Sequence, residues 1–288
     1  MIFDFEDNRE QGDTTLRQAQ FVMLRLLRIF DAICKENNLT YWLDAGTLLG
    51  AARHGGFIPW DDDVDVMMPL ADYEKFIKIA PTQLPKDVFF QTKETDPEHD
   101  ISWAKLRDCY SYMDDPGGPY NYSQGIPIDI FPSFEQTQTQ FKYRNIYSIL
   151  PPFSNKPLSL SKRNSWKRNA YFLVWGTIQR VLKLFFYIPF IKNSVIKAGE
   201  KGKKGFCYNP QLPWFQFFPL DTVLPTSTIT FEGFEFSAPK EVTTYLTEYY
   251  GDWQTPPPEN KRNKHGVQGI HVMDNGKNKH WSNLKWQR

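Results

Sequence analysis

The chain has 288 residues, enough for one large domain or for one domain with an appended lobe. Hydrophobic residues make up 41% and charged residues 23%, the balance of a globular protein rather than a disordered or fibrous one. A net charge of +1 predicts no nucleic-acid partner, and Cys34, Cys109 and Cys207, with no CxxC spacing, argue against a disulfide framework or a structural zinc site.

The first residues, MIFDFEDNREQGD, are acidic and lack the basic-then-apolar pattern of a secretion signal. No uninterrupted run of 18 apolar residues occurs, so no spanning helix is expected. Asp13-Thr14-Thr15 supplies a helix N-cap, and Leu16, Met23, Leu27, Phe30 and Cys34 then recur at helical spacing. They predict an amphipathic helix over about 15–37 that packs on a sheet. Thr40 to Leu43 reads as a short strand leading into Gly46. Gly46 to Ala52 is small and apolar and reads as a turn opening a short helix, whose backbone N–H groups suit a phosphate.

Asp61, Asp63 and Asp65 follow at alternate positions. A strand from Asp63 to Met68 would project Asp63 and Asp65 to one side and send Val64 and Val66 into a core. Two carboxylates on one face repel unless a cation lies between them, the arrangement that Mg²⁺ carrying a phosphate requires. A calcium loop is the sharper competitor, since the three acids match positions one, three and five of an EF-hand. Val66 stands where the turn glycine belongs and Asp72 where a bidentate Glu belongs, so the calcium reading ranks below the metal–phosphate one. His54, in the same stretch, either stabilises a phosphate or holds the Gly55-Gly56 turn.

Leu70 to Ile79 reads as a helix, and Val88 to Gln91 and Trp103 to Cys109 as strands. Alternation puts Trp103, Lys105 and Arg107 on one face, where Lys105 and Arg107 could both reach phosphates; a merely charged, exposed strand face is the alternative. Ile126 to Phe131 sets Asp129 among apolar β-formers. A buried carboxylate is costly unless paired or metal-bound. Asp129 therefore reads as a third metal ligand or as a base, with a turn-capping role as the alternative.

From Asn155 to Gly205 the chain holds twelve Lys/Arg and one acid, Glu200. Within this stretch Tyr171 to Phe190 is apolar but broken by Gln179, Arg180 and Lys183. It reads equally as a basic interfacial helix and as a helical lobe packed on the core. Gly199 to Gly205 lacks the GK[ST] ending of a P-loop. Thr228 to Ser237 reads as a hairpin around Glu232-Gly233, and Val242 to Tyr250 as a helix ended by Gly251. Residues 252–262 run on as an extended segment, and 263–288 form a polar tail in which His265, His271 and His280 show no metal-ligand spacing.

The stretch DAGTLLGAARHGGFIPWDDDVDVMMPLADYEKF, Asp44 to Phe76, closely resembles the LicD family, which includes the fukutin-related proteins. KLRD (Lys105 to Asp108), IPIDIFP (Ile126 to Pro132) and the block Phe231 to Arg262 continue the resemblance in order, and 137–200 matches only loosely. The resemblance implies an α+β (α/β) fold, a nucleotidyltransferase-like mixed sheet flanked by helices. It also implies transfer of a phospho-alcohol, such as phosphocholine or ribitol phosphate, from a CDP-linked donor to a glycan.

By the same resemblance Asp63, Asp65 and Asp129 form the catalytic and metal set for Mg²⁺, with Mn²⁺ as a substitute. Gly46, Thr47, Arg53, Lys105 and Arg107 bind the substrate, and the segment 252–262 helps close the site. The expected organisation is a catalytic core over 14–136, a basic helical insertion over 137–205, a C-terminal part of the same domain over 206–262, and the tail. The expected acceptor is a glycan or lipid-linked glycan of a capsule, a lipopolysaccharide or a teichoic acid. The expected location is cytoplasmic, extending to peripheral contact with the inner face of the cell membrane if the basic segment docks there. Transfer of a nucleotide with release of pyrophosphate, and a non-catalytic glycan- or membrane-binding role, are the competing readings.

Overall fold

The computed structural model describes residues 1–99, 101–113, 122–142, 202–208, 214, 216–262 and 269–272. Its first long element is helix α1, Thr15–Glu36, capped by Thr14, whose side chain accepts the Arg17 N–H at 3.1 Å. Met23, Leu26, Leu27, Ile29, Phe30, Ile33 and Cys34 are fully buried along it, so its apolar stripe is core material. Strand β1 is Trp42–Leu43, two residues shorter than the expected Thr40–Leu43. Helix α2, Ala45–His54, follows Asp44 directly, and Gly55 ends it in the left-handed conformation at φ 70°.

Strand β2 is Asp65–Pro69 and helix α3 is Leu70–Ile79. Strand β3, Val88–Gln91, and strand β4, Ala104–Asp108, come next, followed by the short strand β5, Tyr112–Met113. Strand β6, Pro127–Thr137, is the longest. The sheet order is β1-β2-β6-β4-β3. The β2–β6 pair is parallel, and β1–β2, β6–β4 and β4–β3 are antiparallel, making a mixed sheet of the α+β class. Val66, Met67, Met68, Ile128 and Ile130 are buried on its two central strands, as expected of strands covered on both faces.

The chain divides into two units: Met1–Phe134 with Leu220–Arg288, and Glu135–Pro219. In the second unit, strands β7 (Lys204–Cys207) and β8 (Phe217–Pro219) pair antiparallel, and Gln138 N–H donates to the Lys203 carbonyl at 2.9 Å. The expected insertion over 137–205 lies within this unit, and Tyr171–Phe190 lies outside the described residues. Among the described residues no helix is long and apolar enough to cross a membrane.

The first unit resumes with the short helix α4, Leu220–Val223, and the hairpin of strands β9 (Ser227–Phe231) and β10 (Phe234–Ala238). Helix α5, Val242–Tyr250, packs on α2. Strand β11, Ile270–His271, pairs with β5.

Candidate functional site

Three strands put one charged residue each into a single row. Asp65 on β2 lies in register with Asp129 on β6, and Asp129 lies in register with Lys105 on β4. Neighbouring strands are about 4.8 Å apart and in-register side chains share a face, so acid, acid and ammonium stand side by side. Lys105 Nζ lies 2.7 Å from Asp129 Oδ1, and the Trp103 indole N–H donates to the same oxygen at 2.6 Å. Trp103 and Lys105 thus both reach Asp129, as strand alternation requires.

Asp63 does not belong to the strand. The expected strand Asp63–Met68 starts at Asp65 instead. Asp61 N–H closes a turn on the Ile58 carbonyl at 2.9 Å, and the Gln20 side chain on α1 donates to the Asp61 carbonyl at 3.0 Å. These bonds hold Asp61–Asp63 as a loop ahead of β2, and ladder pairing begins where Asp129 N–H donates to the Val64 carbonyl at 2.8 Å. In that loop Asp61, Asp62 and Asp63 each bring a carboxylate oxygen within 4.8 Å of the others. Among the described residues this trio, rather than Asp63, Asp65 and Asp129, is the group of three convergent ligand atoms.

Asp65 is half-buried, and burial is the main influence pushing its carboxyl well above the usual carboxylate range. The charges of Asp63, Asp129, Asp44 and Asp61 push in the same direction. The Tyr250 phenol is also pushed up, first by burial, then by Tyr249 and by Asp44, Asp65 and Asp61. It therefore stands in the field of the same acids.

The turn from β1 to α2 fixes one side of this cluster. Ala45 is held at φ 44°, in the left-handed region that a side chain disfavours. A Cβ added at Gly46 would lie 2.9 Å from Asp61 Oδ2, so Gly46 makes room for that carboxylate. Thr47 is buried, and its hydroxyl accepts the Asp65 N–H at 2.8 Å, tying α2 to the first residue of β2. Arg53 donates to the Trp253 carbonyl at 2.8 Å, and the Arg262 guanidinium lies 4.2 Å over the Trp60 ring. The segment 252–262 is thereby fastened at both ends onto the motif. Arg107 is only 1% exposed and is spent inward, donating to Gln91 Oε1 at 2.5 Å and to the Gly125 carbonyl at 2.7 Å.

Reasoning from the sequence missed four supports. Asp44 is fully buried; it accepts the Tyr245 hydroxyl at 2.6 Å, and Tyr245 in turn accepts the Trp42 indole N–H at 3.1 Å. Asp44 sits inside the acidic motif, but nothing local announces a partner on α5. Gln20 was hidden in the polar positions of α1. The indole bond from Trp103 to Asp129 was within reach, since alternation had already put Trp103 and Lys105 on one face.

Glu232 is the fourth. Its carboxylate binds Arg17 at 2.5 Å and accepts the Phe57 N–H at 3.0 Å, while its own N–H donates to the Gly55 carbonyl at 2.9 Å. Gly56 has no side chain to spare here: a Cβ would lie 2.3 Å from Glu232 Oε1. Burial pushes the Glu232 carboxyl up, but the Arg17 guanidinium and the Phe57 N–H outweigh it and hold it below its usual range. Stability from this contact is present above the ordinary glutamate range and is lost as pH falls through the lowered value. Glu232→Gln is expected to cost about 1–2 kcal/mol at pH 7, the scale of a charge-assisted bond, and less at acidic pH. Urea denaturation of the variant and the parent at both pH values measures it; an equal loss at both would reject the charge-based account.

The LicD/FKTN/FKRP nucleotidyltransferase domain family matches residues 38–159. The chain is 29% identical over 267 residues to the lipopolysaccharide cholinephosphotransferase LicD of Haemophilus influenzae, covering 90% of this chain and 98% of that protein. It is 66% identical over 40 residues to the human ribitol 5-phosphate transferase FKRP, covering 14% of this chain and 8% of that protein. Over 61 residues it is 38% identical to the mannosyltransferase regulator 4 of Saccharomyces cerevisiae, which is 20% of this chain and 5% of that protein.

Proposed function

We propose that the chain is a phospho-alcohol transferase of the LicD type, with a CDP-linked alcohol as donor and a hydroxyl of a cell-surface glycan as acceptor; its similarity to that family and the Asp65–Asp129–Lys105 row support the reading. The row is the observation that carries the reading. It sets a cation for phosphate beside carboxylates suited to a divalent metal and to a hydroxyl proton.

The donor set fits Mg²⁺ or Mn²⁺. Asp61, Asp62 and Asp63 offer convergent hard carboxylate oxygens, with no Cys or His among them to favour a softer metal, and Asp65 follows two residues on at the start of β2. When bound, such an ion would neutralise charge on the donor pyrophosphate. Lys105 holds a phosphate oxygen and orients the donor. Asp129, kept in place by Lys105 and the Trp103 indole, accepts the proton of the attacking hydroxyl. The phosphorus–oxygen bond to the acceptor forms as the bond to CMP breaks, and CMP leaves with the electron pair. Thr47 and Gly46 act behind this step, holding α2 against Asp65 and Asp61. Arg53 keeps the segment 252–262 over the motif.

The test is thermal stability with CDP-choline, CDP-ribitol, CDP-glycerol, CTP and CMP, each with and without Mg²⁺. A ligand at a hundred times its Kd stabilises by about 2.7 kcal/mol. A Mg²⁺-dependent rise with one CDP-alcohol, larger than that with CMP, is expected, with CMP as the released product. Pyrophosphate release instead would mean nucleotide transfer, and no rise with any cytidine compound would favour a non-catalytic glycan-binding role.

A further inference from the structure

Both bonds to the Asp129 carboxylate fall on one of its oxygens. Lys105 Nζ lies 2.7 Å from Oδ1, and the Trp103 indole N–H donates to the same Oδ1 at 2.6 Å. Oδ2 is the oxygen that neither donor occupies. A carboxylate left to itself turns easily about its last bond, because that torsion has broad minima. Anchoring Oδ1 therefore decides where Oδ2 points.

The two anchors differ in kind. Lys105 is an ammonium on a flexible four-carbon stem, and any anionic group that comes close competes for it. Trp103 carries no charge and a single side-chain N–H. Its ring is half-buried and packs on the buried Phe131 ring, with centroids 5.1 Å apart and planes tilted by 37°. Phe131 stands two residues after Asp129 on β6, so alternation puts this wall and the carboxylate on one face. The Lys105 ammonium lies 5.7 Å from the centre of the indole ring, within reach of a cation–π contact.

Lys105 serves two groups: it is one anchor of Asp129, and in the function proposed above it is the cation for a donor phosphate. An arriving pyrophosphate competes for the ammonium, and the packed, uncharged indole feels far less of that pull.

We propose that Trp103 is the positioning residue of Asp129. It keeps Oδ1 bonded when Lys105 turns to the donor phosphate, and so aims Oδ2 at the acceptor hydroxyl. The role rests on the reading of Asp129 as the base. The hydroxyl proton passes to Oδ2 as the acceptor oxygen bonds to phosphorus, and CMP leaves with the electron pair of the broken bond.

Trp103→Phe keeps an aromatic ring for Phe131 and removes the N–H. Trp103→His returns it, because histidine Nε2 has the same place in its five-membered ring as indole Nε1. The assay is CMP release from CDP-choline, CDP-ribitol and CDP-glycerol with Mg²⁺, over lipopolysaccharide and over teichoic acid. In Trp103→Phe kcat is expected to fall about 10- to 100-fold, the scale of a misaimed base, while KM for the donor holds level because Lys105 is intact. Trp103→His is expected to recover part of kcat. A second measurement needs no turnover. In the magnetic-resonance spectrum of the indole N–H groups, the Trp103 signal is the one that vanishes in Trp103→Phe. It is expected to move upfield in Asp129→Asn, where the acceptor has lost its charge, and to hold its place or move downfield when pyrophosphate with Mg²⁺ is added to the parent. Unchanged kcat in Trp103→Phe, a loss carried by KM, no recovery in Trp103→His, or an upfield move with pyrophosphate would overturn the role of Trp103. No CMP release by the parent from any of the three donors would instead overturn the function on which that role rests.

Discussion

Replacing Asp65 with Asn is expected to abolish transfer, by about 10³-fold or more, the scale seen when one preorganised electrostatic group is lost from a reaction centre. The same change is expected to make the metal-free protein more stable. Asp65 is pushed well above the usual carboxylate range by burial and by Asp63, Asp129, Asp44 and Asp61, so between the ordinary and the raised value the folded chain binds more proton than the unfolded chain. Stability from this source is full below the ordinary aspartate range and is lost as pH rises through the elevated folded value. Asn carries no charge, so it removes that loss, a gain on the order of 1 kcal/mol per pKa unit at pH 7. Mg²⁺ should stabilise the parent and do so less for Asp65→Asn. Steady-state turnover and melting curves from pH 4 to 8 with and without Mg²⁺ check all of this. Near-normal turnover in Asp65→Asn would remove the residue from the reaction centre.

Lys105→Met is expected to damage both fold and chemistry. Lys105 and Asp129 are 12% and 13% exposed at their side chains and lie 2.7 Å apart. Removing one partner of a buried pair leaves the other charge uncompensated, a cost of about 3–5 kcal/mol. Here the stranded charge lies in register beside Asp65, and the Trp103 indole alone is left to hold it. Turnover should fall about 100-fold as the phosphate loses its cation. The double variant Lys105→Met/Asp129→Asn separates the two effects: with no charge left to strand, most of the stability should return while activity stays lost. A double variant as unstable as Lys105→Met would mean that the ammonium supports the fold through another contact.

Much of this site was legible because its signals are local. Thr14, the stripe through Cys34, and the apolar positions of Leu70–Ile79 and Val88–Gln91 report short-range geometry, and those elements appear where the pattern puts them. Asp63 shows where this stops. Its alternation with Asp65 fits a strand, yet the strand begins two residues later because Gln20, on a helix 41 residues earlier, holds the Asp61 carbonyl. Alternation also gives a side but not a depth. It assigned Arg107 to the face of Lys105 and could not foresee that Gln91 and Gly125 would engage the guanidinium inside. Asp129 was picked out by its apolar neighbours, but its pairing with Asp65 rests on a parallel register that no local pattern encodes.

The bonds that steady the acidic motif span great distances along the chain. Phe57 is held by Glu232 across 175 residues, Arg53 by Trp253 across 200, and Asp44 by Tyr245 across 201. Synthesis at about 5–20 residues per second makes these intervals roughly 10–40 s long. Throughout that interval the crowded carboxylates have left the ribosome while their anchors have not yet been made. Maturation of the centre therefore waits on synthesis through Trp253, and a transcript cut short before Tyr245 would yield every acid of the motif without its Tyr245 and Trp253 anchors.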